Sequence, residues 1–161
     1  PEAIYADIRA LRTGSKVDDS FDIIFHYPDV KCFVRGSYLV KEPGPRYILH
    51  GTRGSFVKWG IDPQEEALKK GGIPGSEGWG AEPEAEWGIL HFENTEGTSS
   101  SRVSTETVPG NYLAYFNNIH DAIRKGAPLA VKPEEARNVI RIIEAAYESS
   151  RSLQTVRLKE N

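Results

Sequence analysis

Apolar and polar positions alternate with a period of two over residues 3–12. Ile4, Ala6, Ile8 and Ala10 point one way, and Tyr5, Asp7, Arg9 and Leu11 the other. That alternation predicts a strand with one face buried. Phe21, Ile23, Phe25 and Tyr27 share one face of a second strand, with Asp22, Ile24 and His26 opposite. Pro28-Asp29 has turn chemistry, and Val30, Cys32, Val34, Tyr38 and Val40 return as a third strand. The spacing argues an antiparallel hairpin. Gly36 in mid-strand marks either a bulge or a close approach.

After a Pro/Gly loop at 41–45 come short strands at 46–50 and 55–59, joined by the turn Gly51-Thr-Arg-Gly54. Asp62-Pro63-Gln64-Glu65 reads as a helix start. Asp62 can cap, Pro63 suits the first helical position, and Glu65 stands at capping-box spacing. Residues 71–85 hold five glycines and two prolines, which predicts a long mobile loop carrying an exposed Trp79. Two further strands are expected at 87–92 and 102–108, with a polar turn region at 93–101.

The period then changes to that of a helix. Tyr112, Phe116, Ile119, His120 and Ile123 recur at three- and four-residue steps between Asn111 as cap and Gly126 as stop. Ala136, Val139, Ile140, Ile143, Ala146 and Tyr147 repeat the pattern after Pro133-Glu134-Glu135, and Val156 with Leu158 closes as a short strand. Strands first and helices second define an α+β class. The expected architecture is one broad mixed, largely antiparallel sheet with helices on one face. Phe33, Leu39, Leu90 and Phe92 have apolar neighbours, so both sheet faces are greasy and the open face is available for a homodimer. No internal repeat or linker is visible, and the 161 residues are read as a single domain.

Composition narrows the function. Net charge is −3 and no basic block exists, so phosphate neutralisation on nucleic acid has no support. No long apolar run and no signal-peptide pattern occurs, which argues against a membrane partner. One cysteine, Cys32, permits no internal disulfide and no metal set. A cytoplasmic compartment fits these features. The chain starts at Pro1 and contains no Met, so a processed or trimmed chain is expected.

Candidate chemistry is sparse. His26, His50, His91 and His120 stand far apart, without metal-like spacing, and are read as packed or half-exposed structural residues. No nucleophile elbow occurs. Gly51-Thr-Arg-Gly54 links two strands and opens no helix, so it is a hairpin turn rather than a phosphate cradle. Lys58 ends a strand just before the glycine-rich loop. It either binds a sugar hydroxyl or carboxylate, or is an ordinary solvated lysine. Trp79 either stacks on the apolar face of a sugar or packs in a core or interface. Tyr112 either bonds a polyol or packs through its ring.

Four phrases carry a family resemblance: Pro45–Gly60 (PRYILHGTRGSFVKWG), Ile61–Leu68 (IDPQEEAL), Asn111–Ile123 (NYLAYFNNIHDAI) and Ala136–Ser150 (ARNVIRIIEAAYESS). In this order the chain resembles the C-terminal domain of the glucose–fructose oxidoreductase / inositol dehydrogenase / MocA family, in the subgroup with scyllo-inositol dehydrogenases. The resemblance implies NAD(P)-dependent hydride transfer on a sugar or polyol, with this domain supplying the substrate's outer wall and a dimer sheet. It also implies a nucleotide-binding half that precedes a segment like Pro1–Ile4 and holds the catalytic Lys of a Glu-Lys-Pro motif and a catalytic Asp and His. Lys132-Pro133 follows Val131 rather than Glu and is no match, so no catalytic residue is assigned. Substrate-binding candidates are Lys58, Trp79 and Tyr112. NAD or NADP is expected for the full-length enzyme and no cofactor for this chain. The alternative is a free-standing, non-catalytic binding or dimerisation module.

Overall fold

A computed structural model describes residues 1–94 and 96–158. Thr95, inside the expected 93–101 turn, lies outside the described residues. Among them, eight strands form two four-stranded sheets, and every ladder is antiparallel. The α+β class stands, but the expected single broad sheet is two hydrogen-bonded sheets. The division falls at the 41–45 loop, where Pro43 and Pro45 lack the N–H that continues a ladder. The chain forms two compact units: Pro1–Glu42 with the segment from Val131 onward, and Pro43–Ala130.

The first unit contains β1 (Ala3–Arg9), β2 (Ser20–His26), β3 (Lys31–Ser37), α3 (Pro133–Ser152) and β8 (Val156–Arg157), in sheet order β3-β2-β1-β8. The expected alternation is realised. Ile4 and Ala6 are buried against Ala145 and Ala146 of α3, with Ile8, Ile23, Phe25 and Ile142 packed around them. The opposite face carries the cross-strand row Tyr5, Ile24 and Phe33, bordered by Asp7, Asp22 and Arg35. Gly36 pairs with Phe21 in unbroken register, and a Cβ there would lie 2.7 Å from the Phe21 ring. Of the two sequence readings, close approach is the one realised.

Strand β8 pairs only with Ala3 and Ile4, so β1 runs on past its partner. Two serines of α3 take over that edge. Ser149 Oγ accepts from Ala6 N at 3.0 Å and donates to Gln154 O at 2.6 Å. Ser150 Oγ accepts from Ile8 N at 2.9 Å. Hydroxyls thus satisfy strand amides that burial would otherwise leave orphaned. The helix starts with Pro133 in its first turn, and the Glu135 carboxylate accepts from Lys132 N at 2.9 Å.

Asp19 closes the β1–β2 connection. Its buried carboxylate accepts from Leu11 N at 2.7 Å, Arg12 N at 3.1 Å and the Arg12 guanidinium at 2.8 Å. These donors, the Leu11 amide foremost, hold its pKa below the ordinary carboxylate value. A carboxyl group with a depressed folded pKa contributes stability above its unfolded pKa, roughly 4, and loses it as pH falls through the folded value. Asp19→Asn should therefore lower the melting temperature at pH 7. Its deficit against the unmodified chain should narrow steadily below about pH 4, and thermal melts from pH 7 to pH 2.5 read the difference. A deficit that stays constant with pH would show that the charge contributes nothing.

The second unit contains β4 (Tyr47–His50), β5 (Gly54–Lys58), α1 (Gln64–Lys69), β6 (Gly88–Glu93), β7 (Ser100–Thr105) and α2 (Tyr112–Lys125), with sheet order β4-β5-β6-β7. Register puts Leu49, Phe56, Leu90 and Val103 in one cross-strand row. The expected caps of α2 are in place: Asn111 Oδ1 accepts from Ala114 N at 3.0 Å, and Gly126 ends the helix at φ 69°. Its apolar stripe is open, however, with Phe116 62% and Ile123 77% exposed. The capping box expected at α1 is not formed: Pro63 takes the N-cap position expected of Asp62, and no side-chain cap bond is made from it. Asp62 accepts from Gln64 N at 3.0 Å, while Glu65 pairs with Lys69 at 3.0 Å.

Candidate functional site

The glycine-rich segment is a chain of hydrogen-bonded turns. Ser76 N, Trp79 N and Ala81 N donate to the carbonyls of Ile73, Ser76 and Gly78. Gly71, Gly75, Gly78 and Gly80 hold φ between 72° and 84°, the left-handed region that lets the chain reverse repeatedly. The expected exposed tryptophan is instead half-buried and anchored. Trp79 Nε1 donates to Gln64 Oε1 at 2.7 Å.

Gln64 is the centre of this cluster and is fully buried, at 0% exposure. Its Oε1 also accepts from Tyr112 N at 2.8 Å. Its Nε2 donates to both oxygens of Asp62, at 3.1 and 2.9 Å. The indole N–H and backbone N–H only donate, and the carboxylate only accepts, so one orientation of the amide satisfies all partners. Gly80 and Gly110 close the cluster, with Gly110 N donating to Gly80 O at 3.2 Å. A Cβ on Gly110 would strike Gln64 Nε2 and Asp62 Oδ2.

Lys58 lies beside the strand end as expected, but it faces inward and is 8% exposed. Its ammonium donates to the Glu82 carboxylate, to Glu86 O at 2.9 Å and to Thr107 Oγ1 at 3.0 Å. The Glu82 side chain is 3% exposed. Three protons meet three acceptors, so Lys58 ties the end of β5 to the 82–86 and 107 segments. To touch a substrate it must exchange one of these bonds. Trp87 Nε1 adds a bond to Glu82 O at 3.3 Å.

The structure thus joins Trp79 and Tyr112 through Gln64 and gives Lys58 its own buried network. Sequence reading missed Gln64, Glu82 and Thr107. The first was visible as a polar residue in the IDPQEEAL phrase. The others carried no signal, because they stand 24 and 49 residues from Lys58.

The histidines remain apart. His50 Nδ1 lies 2.8 Å from Ser55 Oγ, and His120 Nδ1 lies 3.1 Å from Asp121. Among the described residues no three His, Cys, Asp or Glu are placed to hold a metal. A second feature of this unit is an open depression of about 340 Å3 lined by Gly51–Ser55, His91, Phe92, Glu93 and Ser100. Lys58, Trp79 and Tyr112 do not line it. No helix among the described residues is long and apolar enough to cross a membrane.

Residues 3–158 match the model of the oxidoreductase family C-terminal alpha/beta domain of the Gfo/Idh/MocA group, and the chain belongs to that family. It is 40% identical over 99% of its length to scyllo-inositol 2-dehydrogenase (NADP(+)) IolW of Bacillus subtilis, and 38% identical over 93% to the uncharacterized oxidoreductase YhhX of Escherichia coli. It spans 44% and 43% of those two proteins. Among solved structures, yvaA of Bacillus subtilis superimposes over 99% of this chain and 46% of its own, with a TM-score of 0.93 at 39% identity. An oxidoreductase from Bacillus cereus gives 0.86 at 34% identity, over 99% of this chain and 47% of its own. The chain is an oxidoreductase-family C-terminal domain of the inositol-dehydrogenase-like kind.

Proposed function

We propose that this chain is the substrate-side domain of a cytoplasmic NAD(P)-dependent dehydrogenase acting on a sugar or polyol. The match to the scyllo-inositol dehydrogenase over 99% of the chain carries the reading. In the full-length enzyme a bound nicotinamide would exchange a hydride with a carbon of the sugar or polyol. The Gly51–Gly54 turn joins β4 to β5 and opens no helix, so it does not fit a dinucleotide phosphate, and no step through the cofactor is derived from these residues.

This domain's part is to wall the polyol. Tyr112 presents a half-exposed phenol ring at the start of α2, Trp79 an indole face, and Lys58 a charge held by Glu82. The Tyr5–Ile24–Phe33 row, on the face of its sheet opposite α3, is the apolar surface for a second copy.

The test uses the full-length enzyme containing this domain. Inositols or sugars should support reduction of NADP+ or NAD+, and sedimentation should give a dimer that Phe33→Asp dissociates. The chain alone should neither turn over polyol nor bind cofactor in the micromolar range by calorimetry. A full-length protein inert toward every polyol and sugar sinks the dehydrogenase reading and leaves the non-catalytic module. Tight cofactor binding by the isolated chain sinks the division of labour.

A further inference from the structure

We infer that Gln64 is a positioning residue that sets polyol selection, a role that rests on the reading above. One buried carbonyl oxygen receives both the Trp79 indole and the first amide of α2, at 2.7 and 2.8 Å. The two aromatic groups assigned to the substrate wall therefore take their separation from a single atom. The Asp62 carboxylate fixes that atom in turn, because both of its oxygens accept from the Gln64 amide nitrogen. The site has no slack, because a Cβ on Gly110 would occupy the same space. An acceptor serving two donors from segments 15 and 48 residues away is a gauge between them. Displacing such a wall by even a fraction of an ångström changes how well a rigid ring of hydroxyls fits.

The chemistry specifies the residue. Glutamate keeps the acceptor but sets a second carboxylate against Asp62. Leucine keeps the volume but abandons both donors. The reciprocal pair Asp62→Asn with Gln64→Glu restores one donor and one acceptor between the two positions.

The experiment has two arms. On this chain, the Trp79 indole N–H is followed by NMR. It should be protected from exchange in the unmodified protein and lose that protection in Gln64→Leu and Gln64→Glu. The Trp87 indole, which bonds Glu82 O, serves as internal control, and the reciprocal double variant should recover the Trp79 signal. In the full-length enzyme, Gln64→Glu should raise the Michaelis constant for the polyol about tenfold, with kcat within about twofold and the cofactor constant unmoved. The double variant should return most of the loss. If the indole signal responds but the polyol constant does not, Gln64 is a structural tie and the inference is overturned. If the indole signal is unmoved, the geometry itself is refuted. A full-length protein without any polyol activity overturns the functional reading and the selection role together, while the indole arm still reports on the geometry.

Discussion

Lys58→Met is expected to destabilise the chain by about 3–5 kcal/mol, the usual consequence of removing one partner from a buried ion pair. The methionine fills the aliphatic volume but leaves the Glu82 side chain, 3% exposed, without its counter-charge. Glu86 O and Thr107 Oγ1 lose their donor in the same step. The double variant Lys58→Met/Glu82→Leu should recover much of this, since exchanging a whole buried pair for apolar residues is often near neutral. It should not recover all, because the Glu86 carbonyl stays unpaired at a cost of about 1–3 kcal/mol. Urea denaturation of the three proteins measures the coupling. A single variant as stable as the unmodified chain, or a double variant worse than the single, would show that the pair does not hold these segments. The result also bears on substrate recognition. A weakened affinity for polyol in Lys58→Met has to be read against the loss of fold, which is why the amide exchange at Gln64 is the sharper probe of the wall.

The strand and helix pattern was legible because it depends on neighbours. Ile4, Ala6 and Ile8 alternate whatever lies beyond them, and that face is the one that meets Ala145 and Ala146. Asn111 and Gly126 bound α2 through bonds that reach only four residues. Pairing between strands was not legible in the same way. Alternation says which side chains share a face but not which strand is adjacent, so one broad sheet and two four-stranded sheets have the same pattern.

Period alone does not report burial. The α2 stripe has helical spacing, yet Phe116 and Ile123 are exposed. The period marks a face and does not say what covers it. The candidate site shows the same limit. Lys58 looked like a surface lysine because its acceptors lie far along the chain. For Trp79 the packing reading came without a partner, because glycine content reports backbone freedom and not the Gln64 side chain that anchors the indole. The family phrases were read from residue order, and the match over residues 3–158 supports them.

Gly80→Ala is expected to cost about 2–4 kcal/mol, combining left-handed backbone strain with overpacking. Gly80 has φ 76°, and an added Cβ would run into the carbonyl, carbon and nitrogen of Gly110. The obstacle is backbone, so no rotamer change relieves it. The bond from Gly110 N to Gly80 O must stretch, and with it the cradle around Gln64 and Asp62. Gly78→Ala separates the two contributions. That residue lies two positions away at φ 72°, and its Cβ would meet nothing within 4 Å. It should therefore show the conformational part alone, about 1–2 kcal/mol. Equilibrium unfolding gives both values, and indole exchange at Trp79 reports the site. Gly80→Ala should expose that indole, and Gly78→Ala should leave it protected. Equal costs for the two substitutions would mean that the approach of the 80 and 110 backbones contributes nothing. The turns at 71–81 would then be held by glycine conformation alone, and the wall would owe its position to Gln64 without help from the loop that carries Trp79.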